Sequence, residues 1–206
     1  MLKIWGRISS INVRKVVLTA QLLELPFERI DAGREFGLTR SADYLARNPN
    51  ALVPTIEDQG LVLWESNVIV RYLGARHGEG TLYPRELPRR FDAERWMDWQ
   101  QTTLNRAGRD AFWQLVRTPE AQQDRPAIEQ SILETERWLT VLDGHLAQRP
   151  FMAGESLTIA DIPIACEMHR WWGLPLVHPA HPHLQRWYDG IRQLPAARGV
   201  LDLPLS

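Results

Sequence analysis

The apolar positions change period along the chain. Residues 2–6 and 27–32 read as short strands, the second with near alternation at Phe27-Glu28-Arg29-Ile30. Between them Val13, Val16, Val17, Ala20 and Leu23 recur at helical spacing, and Leu25-Pro26 ends that run. A polar stretch from Gly33 to Arg40 leads to a short helix from Ala42 to Arg47, closed by Asn48-Pro49-Asn50. Two apolar runs on either side of Asp58-Gln59-Gly60 predict a hairpin, followed by a helix to about His77. The predicted order is β-α-β-α-β-β-α. Gly78-Glu79-Gly80-Thr81 and Tyr83-Pro84 mark a linker.

Beyond the linker every pattern is helical. A long helix is predicted from Pro88 to about Val116, stopped by Thr118-Pro119. Pro126 opens another, with Ile132, Leu139, Leu142 and Leu146 on one face. Ser156 to Ile162 carries a start signal: Thr158 can cap while Asp161 reaches back, and Leu157 and Ile162 stand at the staple positions. That gives Asp161 a folding role. Its helix runs to about Trp172, stopped by Gly173, and a last helix covers Leu184 to Leu194.

Composition narrows the function classes. A net charge of −1 argues against a nucleic-acid partner. No apolar run approaches the ~18–20 residues of a membrane span. The single cysteine, Cys166, lies in an apolar run and reads as a buried thiol. It excludes a Cys-x-x-Cys cycle and fits a reducing cytoplasm. The start at Met1-Leu2-Lys3-Ile4-Trp5 has no leader pattern, so a cytoplasmic location is expected. His178, His181 and His183 are separated by prolines and lack a cysteine or carboxylate partner, so no metal is expected. Nine tryptophans, mostly after residue 90, predict an aromatic core or an aromatic-lined pocket.

The chemistry concentrates in the first half. Ser66 reads as a helix N-cap, and a helix N-terminus offers free N–H groups and a positive dipole end to a carboxylate. Pro54 cannot donate to a sheet ladder, so it belongs in a turn, where a cis bond would leave its neighbour's backbone free for an extended ligand. Ser9, Ser10 and Asn12 precede the first helix and can serve as plain capping residues or as donors to a ligand. Arg34 and Arg40 are solvated arginines or carboxylate partners on charge logic alone.

Val53-Pro54, then Glu65-Ser66, then a helix ending Arg71-Tyr72-Leu73, resembles the glutathione-binding half of a cytosolic glutathione S-transferase. The start through Gly6-Arg7 and Ser10-Ile11-Asn12-Val13-Arg14-Lys15-Val16 looks like the bacterial theta-like and nu-like members. The resemblance covers the whole chain. It implies an α/β N-terminal thioredoxin-like domain over 1–77, a linker over 78–87, and an all-α C-terminal domain over 88–206 contributing the electrophile pocket. It further implies glutathione as co-substrate, with Ser10, helped by Asn12, stabilising its thiolate. Ser9 stands as rival to Ser10. Val53 would bond the cysteinyl backbone beside a cis Pro54. Glu65 would pair with the γ-glutamyl ammonium and Ser66 would hold that residue's carboxylate; on charge logic, and not from the resemblance, Arg34 and Arg40 are the candidates to approach the glycyl carboxylate. Arg106, Arg109 and Trp113 share helical spacing with Phe112 and would rim a pocket for a small anionic or polar electrophile. The expected reaction is displacement or addition, in detoxification, by a homodimer. Two alternatives stand beside it: glutathione-dependent disulfide reduction, and a non-catalytic binding module.

Overall fold

Four strands of four residues each build the sheet of the first unit: β1 (Leu2–Trp5), β2 (Phe27–Ile30), β3 (Thr55–Asp58) and β4 (Leu61–Trp64). Their order is β2-β1-β3-β4. β2 runs parallel to β1, while β3 pairs antiparallel with both β1 and β4. The parallel pair is linked by helix α1 (Ile11–Leu22), as a βαβ connection requires. Helix α2 (Ala42–Arg47) precedes β3, and α3 (Ser66–His77) follows β4. The computed structural model describes residues 1–205, and its first unit spans Met1–Arg85.

The interior of this unit is aliphatic. Ile4, Val13, Val16, Leu18, Ile56, Ile69 and Leu73 are fully buried, and α1 packs along α3. Lys15 of α1 is also fully buried, and its Nζ donates to Asn67 Oδ1 at 3.3 Å. A buried ammonium is tolerable only with such a partner. Gly6 ends β1 at a close approach: a Cβ there would lie 2.4 Å from Val13 Cγ2 and 3.2 Å from Val53 Cβ.

The second unit, from Glu86 onward, is helical. The long helix expected from Pro88 to Val116 is interrupted. It consists of α4 (Leu87–Trp99), a π turn over Gln100–Leu104, and α5 (Asn105–Arg117). The widened turn brings the buried Gln100 amide to Glu167 Oε2 at 2.6 Å, where Asn105 Nδ2 also donates at 3.1 Å. A π bulge of this kind is a one-residue slip that apolar spacing conceals. Helices α6 (Arg125–Leu146), α7 (Asp161–Trp172) and α8 (Pro182–Arg192) complete the unit. No helix among the described residues is long and apolar enough to cross a membrane.

The expected aromatic core takes a different form. Trp171 and Trp187 are buried, but the fully buried large side chains are aliphatic or thioether, among them Leu104, Leu139, Leu142, Leu146, Met97 and Met152. Trp96, Trp99 and Trp138 are half-buried and touch edge to face, with ring centroids 5.3 and 5.9 Å apart along the series. Indole is large and polar at one end, so it settles at the margin of an aliphatic interior. The start of α7 follows the expected logic with one change. Asp161 reaches back to the Thr158 N–H at 2.8 Å, while the Thr158 hydroxyl accepts from Ala160 N at 3.3 Å. Cys166 is fully buried within α7.

Candidate active site

The Val53–Pro54 bond is cis, and the segment around it is held from one side. Tyr44 of α2 donates its hydroxyl to Leu52 O at 2.6 Å and shares a hydrogen bond with Thr55 Oγ1 at 2.9 Å. Asn48, the residue that ends α2, donates to the same two atoms at 3.0 and 3.1 Å. Burial raises the Tyr44 phenol above its ordinary value, so it stays neutral and remains a donor. The clamp leaves Val53 between two fixed points. Among the described residues nothing pairs with the Val53 N–H or C=O. This backbone edge is therefore free for an extended ligand, the geometry of strand addition.

Two helix N-termini meet beside each other within the same unit. Ser66 Oγ, at the start of α3, donates to Asn12 Oδ1, in the first turn of α1, at 3.2 Å. The Lys15–Asn67 bond ties the helices one turn further along. In α3 the first intrahelical bond runs from Ile69 N to Glu65 O at 2.9 Å, so the N–H groups of Ser66, Asn67 and Val68 have no acceptor within the helix. Ser66 is buried, and its amide end carries the positive pole of the helix. Glu65 precedes it with φ of 72°, a left-handed conformation that strains a non-glycine residue. Its carboxylate is exposed and forms no ion pair among the described residues.

Ser10 occupies the N-cap position of α1 but makes no capping bond through its hydroxyl. Ser9 and Ser10 are both half-buried, and neither hydroxyl has a partner among the described residues. The Asn12 oxygen is committed to Ser66, and its NH₂ group has no partner among the described residues. A plain capping serine would bond the N–H two or three residues on; Ser10 does not.

Arg34 is exposed, with φ of 52°, in the 3₁₀ turn Arg34–Phe36. Arg40 is exposed as well. The structure adds Arg7, a residue that sequence reasoning passed over. Its guanidinium lies against Gly33, and burial, reinforced by the positive charge of Arg34, pushes its pKa down while Glu35 partly offsets that. Nothing local in the sequence marks it, because its neighbours come from beyond β2.

In the helical unit Arg106 and Arg109 line a groove with Asp110, Gln130 and Glu134 between α5 and α6. Two carboxylates therefore stand with the two arginines. Trp113 is not part of that groove; it is 52% exposed, with the Arg117 guanidinium 6.0 Å from its ring centroid. Phe112 lies between two guanidiniums, with Arg117 at 5.1 Å and Arg170 at 5.0 Å from its centroid. Arg170 is buried and paired with Glu167. His181 Nε2 bonds Glu136 Oε2 at 2.8 Å, and the described residues hold no group of three or more potential metal ligands.

Comparison with known proteins gives these positions a context. Residues 1–75 match the family model described as glutathione S-transferase, N-terminal domain, and residues 106–195 match its C-terminal domain counterpart. The glutathione S-transferase GstB of Escherichia coli is 44% identical over 208 residues, with all of both chains covered. A crystal structure of a theta class glutathione S-transferase from Xanthomonas axonopodis pv. citri, with glutathione bound, is 40% identical; it superimposes with a TM-score of 0.95, covering 100% of this chain and 99% of that one. A probable elongation factor 1-gamma 2 of Arabidopsis thaliana is 28% identical over 92% of this chain and 46% of its own length.

Proposed function

The chain belongs to the glutathione S-transferase family, and we propose that Ser10 is the group that turns bound glutathione into a nucleophile. The protein is an enzyme of that family, with glutathione as co-substrate. The observation that carries the assignment is the Ser10 hydroxyl, at the head of α1 and unused as a cap, in the helix tied through Asn12 to Ser66.

A free thiol has a pKa of about 8.5, so half-ionisation at pH 7 needs about 2 kcal/mol in favour of the thiolate. One hydrogen bond to a charged acceptor supplies about 1.5–3 kcal/mol. Ser10 provides it, and the unpartnered Asn12 amide adds a second donor. Glutathione lies extended along Val53. Its γ-glutamyl carboxylate meets Ser66 and the N-terminal end of α3, its ammonium meets Glu65, and its glycyl end runs toward Arg34. The sulfur then attacks an electrophilic carbon, a carbon–sulfur bond forms, and the leaving group departs with the electron pair. Arg106 and Arg109 favour a compact electrophile with an anionic or polar group.

The setting is a detoxifying homodimer in the cytoplasm. A buried single cysteine suits a reducing compartment. The same thiolate can attack a disulfide, releasing the other sulfur as a thiolate, and no second cysteine of the enzyme is needed. A binding-module role of the kind the elongation-factor relative brings to mind is disfavoured, because the free Val53 edge and the strained Glu65 serve a ligand and not the fold.

The ultraviolet absorbance of bound thiolate, followed against pH, tests the central claim. Ser10→Ala should raise the apparent pKa by about one unit or more and lower turnover more than glutathione affinity. An unchanged titration there, with a raised one in Ser9→Ala, would move the role to Ser9.

A further inference from the structure

The segment from β2 to Ala32 holds the start of the turn that carries Ser10. Ile30 O accepts from Gly6 N at 2.8 Å, Ala32 O accepts from Arg7 N at 3.2 Å, and Arg29 Nη1 donates to Gly6 O at 3.0 Å. The first two bonds join main chain to main chain. The third comes from a side chain, so a substitution can remove it and leave the others. The same Nη1 also donates to Asp31, which fixes the direction of the guanidinium. Both side chains are half-buried.

Gly6 is a sensitive place for such a hold. It lies between α1 and the ligand edge: a Cβ there would stand 2.4 Å from Val13 Cγ2 and 3.2 Å from Val53 Cβ. The turn that follows closes through the bond from Ser10 N to Arg7 O at 3.1 Å, and α1 begins at once, with Arg14 N bonded to Ser10 O at 2.9 Å. A shift of the Gly6 carbonyl is therefore passed along the turn to Ser10, while Val53 is held separately by Tyr44 and Asn48 through its neighbours. Hydrogen bonds weaken steeply with misalignment. A misplacement of about 1 Å, caused far from the reacting atoms, can cost about a hundredfold in rate. Arg29 and Asp31 carry opposite charges, so together they place little net field on a nearby sulfur.

We infer that Arg29, aimed by Asp31, is a positioning residue for glutathione activation. It holds the Gly6 carbonyl, and through the turn it sets where the Ser10 hydroxyl stands relative to a glutathione lying along Val53. The inference rests on the role of Ser10 proposed above.

The titration of bound-thiolate absorbance against pH, run beside thermal melts, tests it. Arg29→Gln should raise the apparent thiol pKa by about half a unit or more and lower kcat about tenfold, with glutathione affinity below that pKa kept within about twofold. Arg29→Lys keeps a charged donor without the planar fork that serves two acceptors, and should fall between. Asp31→Asn separates position from field. It removes a negative charge, so a field effect would lower the thiol pKa, whereas a guanidinium that has lost its aim raises it. Raised values in both Arg29→Gln and Asp31→Asn support the positioning role. Shifts of opposite sign show that the two residues act as charges, and overturn it. Lower melting temperatures with a wild-type titration in both show that the bond serves folding alone, and overturn it as well. Ser10→Ala is the control. An unchanged titration there removes the role of Ser10 and this inference with it; a raised one beside an unchanged Arg29→Gln removes the inference and leaves Ser10 standing. If Arg29→Gln fails to fold, Arg29→Lys takes its place in the comparison with Asp31→Asn.

Discussion

Helix α3 begins with Glu65 and Ser66, and helix α7 begins after Thr158 with Asp161, so both starts combine a hydroxyl with an acid. Their fates are opposite. Glu65 is exposed, strained and without an ion pair among the described residues, while Ser66 bonds across to Asn12 and its N–H has no acceptor within the helix. Asp161 is fully buried and accepts from the main-chain N–H of Met152 at 2.9 Å and of Thr158 at 2.8 Å, and from Trp187 Nε1 at 2.8 Å. The acid at α7 is saturated by the chain's own donors. The acid at α3 faces away from them. Capping chemistry alone therefore does not distinguish a scaffold from a site; the presence or absence of internal partners does. An acid held in a left-handed conformation costs on the order of 1 kcal/mol or more, and a fold keeps that strain when a ligand uses the side chain.

The largest way to break this contrast is at Asp161. Asp161→Ala strands four donors, the N–H groups of Met152, Thr158 and Trp187 and the Thr158 hydroxyl, and should cost about 3–5 kcal/mol, a large share of the 5–15 kcal/mol typical of a domain. Thermal melts should show a drop of many degrees, and whatever folded protein survives should turn over normally. A normal melting temperature with lost activity would place Asp161 in the site instead. The Asp161→Asn variant adds a pH test. Burial raises the Asp161 pKa in the folded chain above its ordinary 3.8, against the opposing pull of its hydrogen bonds. The native state then holds the proton more tightly than the unfolded chain. Stability from this group is fully present below about 3.8 and is lost as pH rises through the folded value. The melting-temperature gap between wild type and Asp161→Asn should narrow as pH rises above 4. A gap that widens with pH would mean that the four donors outweigh burial.

A smaller effect is expected on the open side. Tyr44→Phe removes the hydroxyl that bonds Leu52 O and Thr55 Oγ1, at about 1 kcal/mol in stability. Asn48 still holds both atoms, so the Val53 edge should loosen without collapsing. Glutathione affinity should fall a few-fold by calorimetry, with the loss deepened in Tyr44→Phe/Asn48→Ala. Unchanged affinity in the double variant would show that the clamp serves folding alone.

The contrast also shows what the sequence could carry. Periodicity predicted the elements of the first unit in order, because each is a single regular run with a turn after it. The cis turn at Val53-Pro54 and the helix start at Glu65-Ser66 were legible since their signals are local. The π turn at Gln100 was not, because one extra residue in a helix leaves the apolar stripe nearly in phase. The Tyr44–Asn48 clamp was hidden for another reason: a tyrosine in a short helix and an asparagine at its end both have adequate local explanations. Arg7 needed Gly33 and Arg34 beside it, and that meeting exists only once β1 and β2 have paired.

The weakest expected effect lies in the helical unit, where the arginines divide as the two helix starts do. Arg170 is buried, paired with Glu167 and stacked on Phe112, so its charge belongs to the fold. Arg106 and Arg109 are exposed in a groove shared with Asp110 and Glu134. Exposed charges close to opposite charges contribute little, and salt screens what remains. If these arginines attract an anionic electrophile, they do so as a weak field and not as a clamp. Arg109→Ala should therefore lower kcat/KM for a halogenated acid only a few-fold, mostly through KM, with the loss fading at high salt. A neutral aryl halide of similar reactivity should be turned over by both proteins alike. A wild-type preference for the neutral compound, untouched by the substitution, would remove Arg109 from electrophile selection and leave both groove arginines as ordinary surface charge.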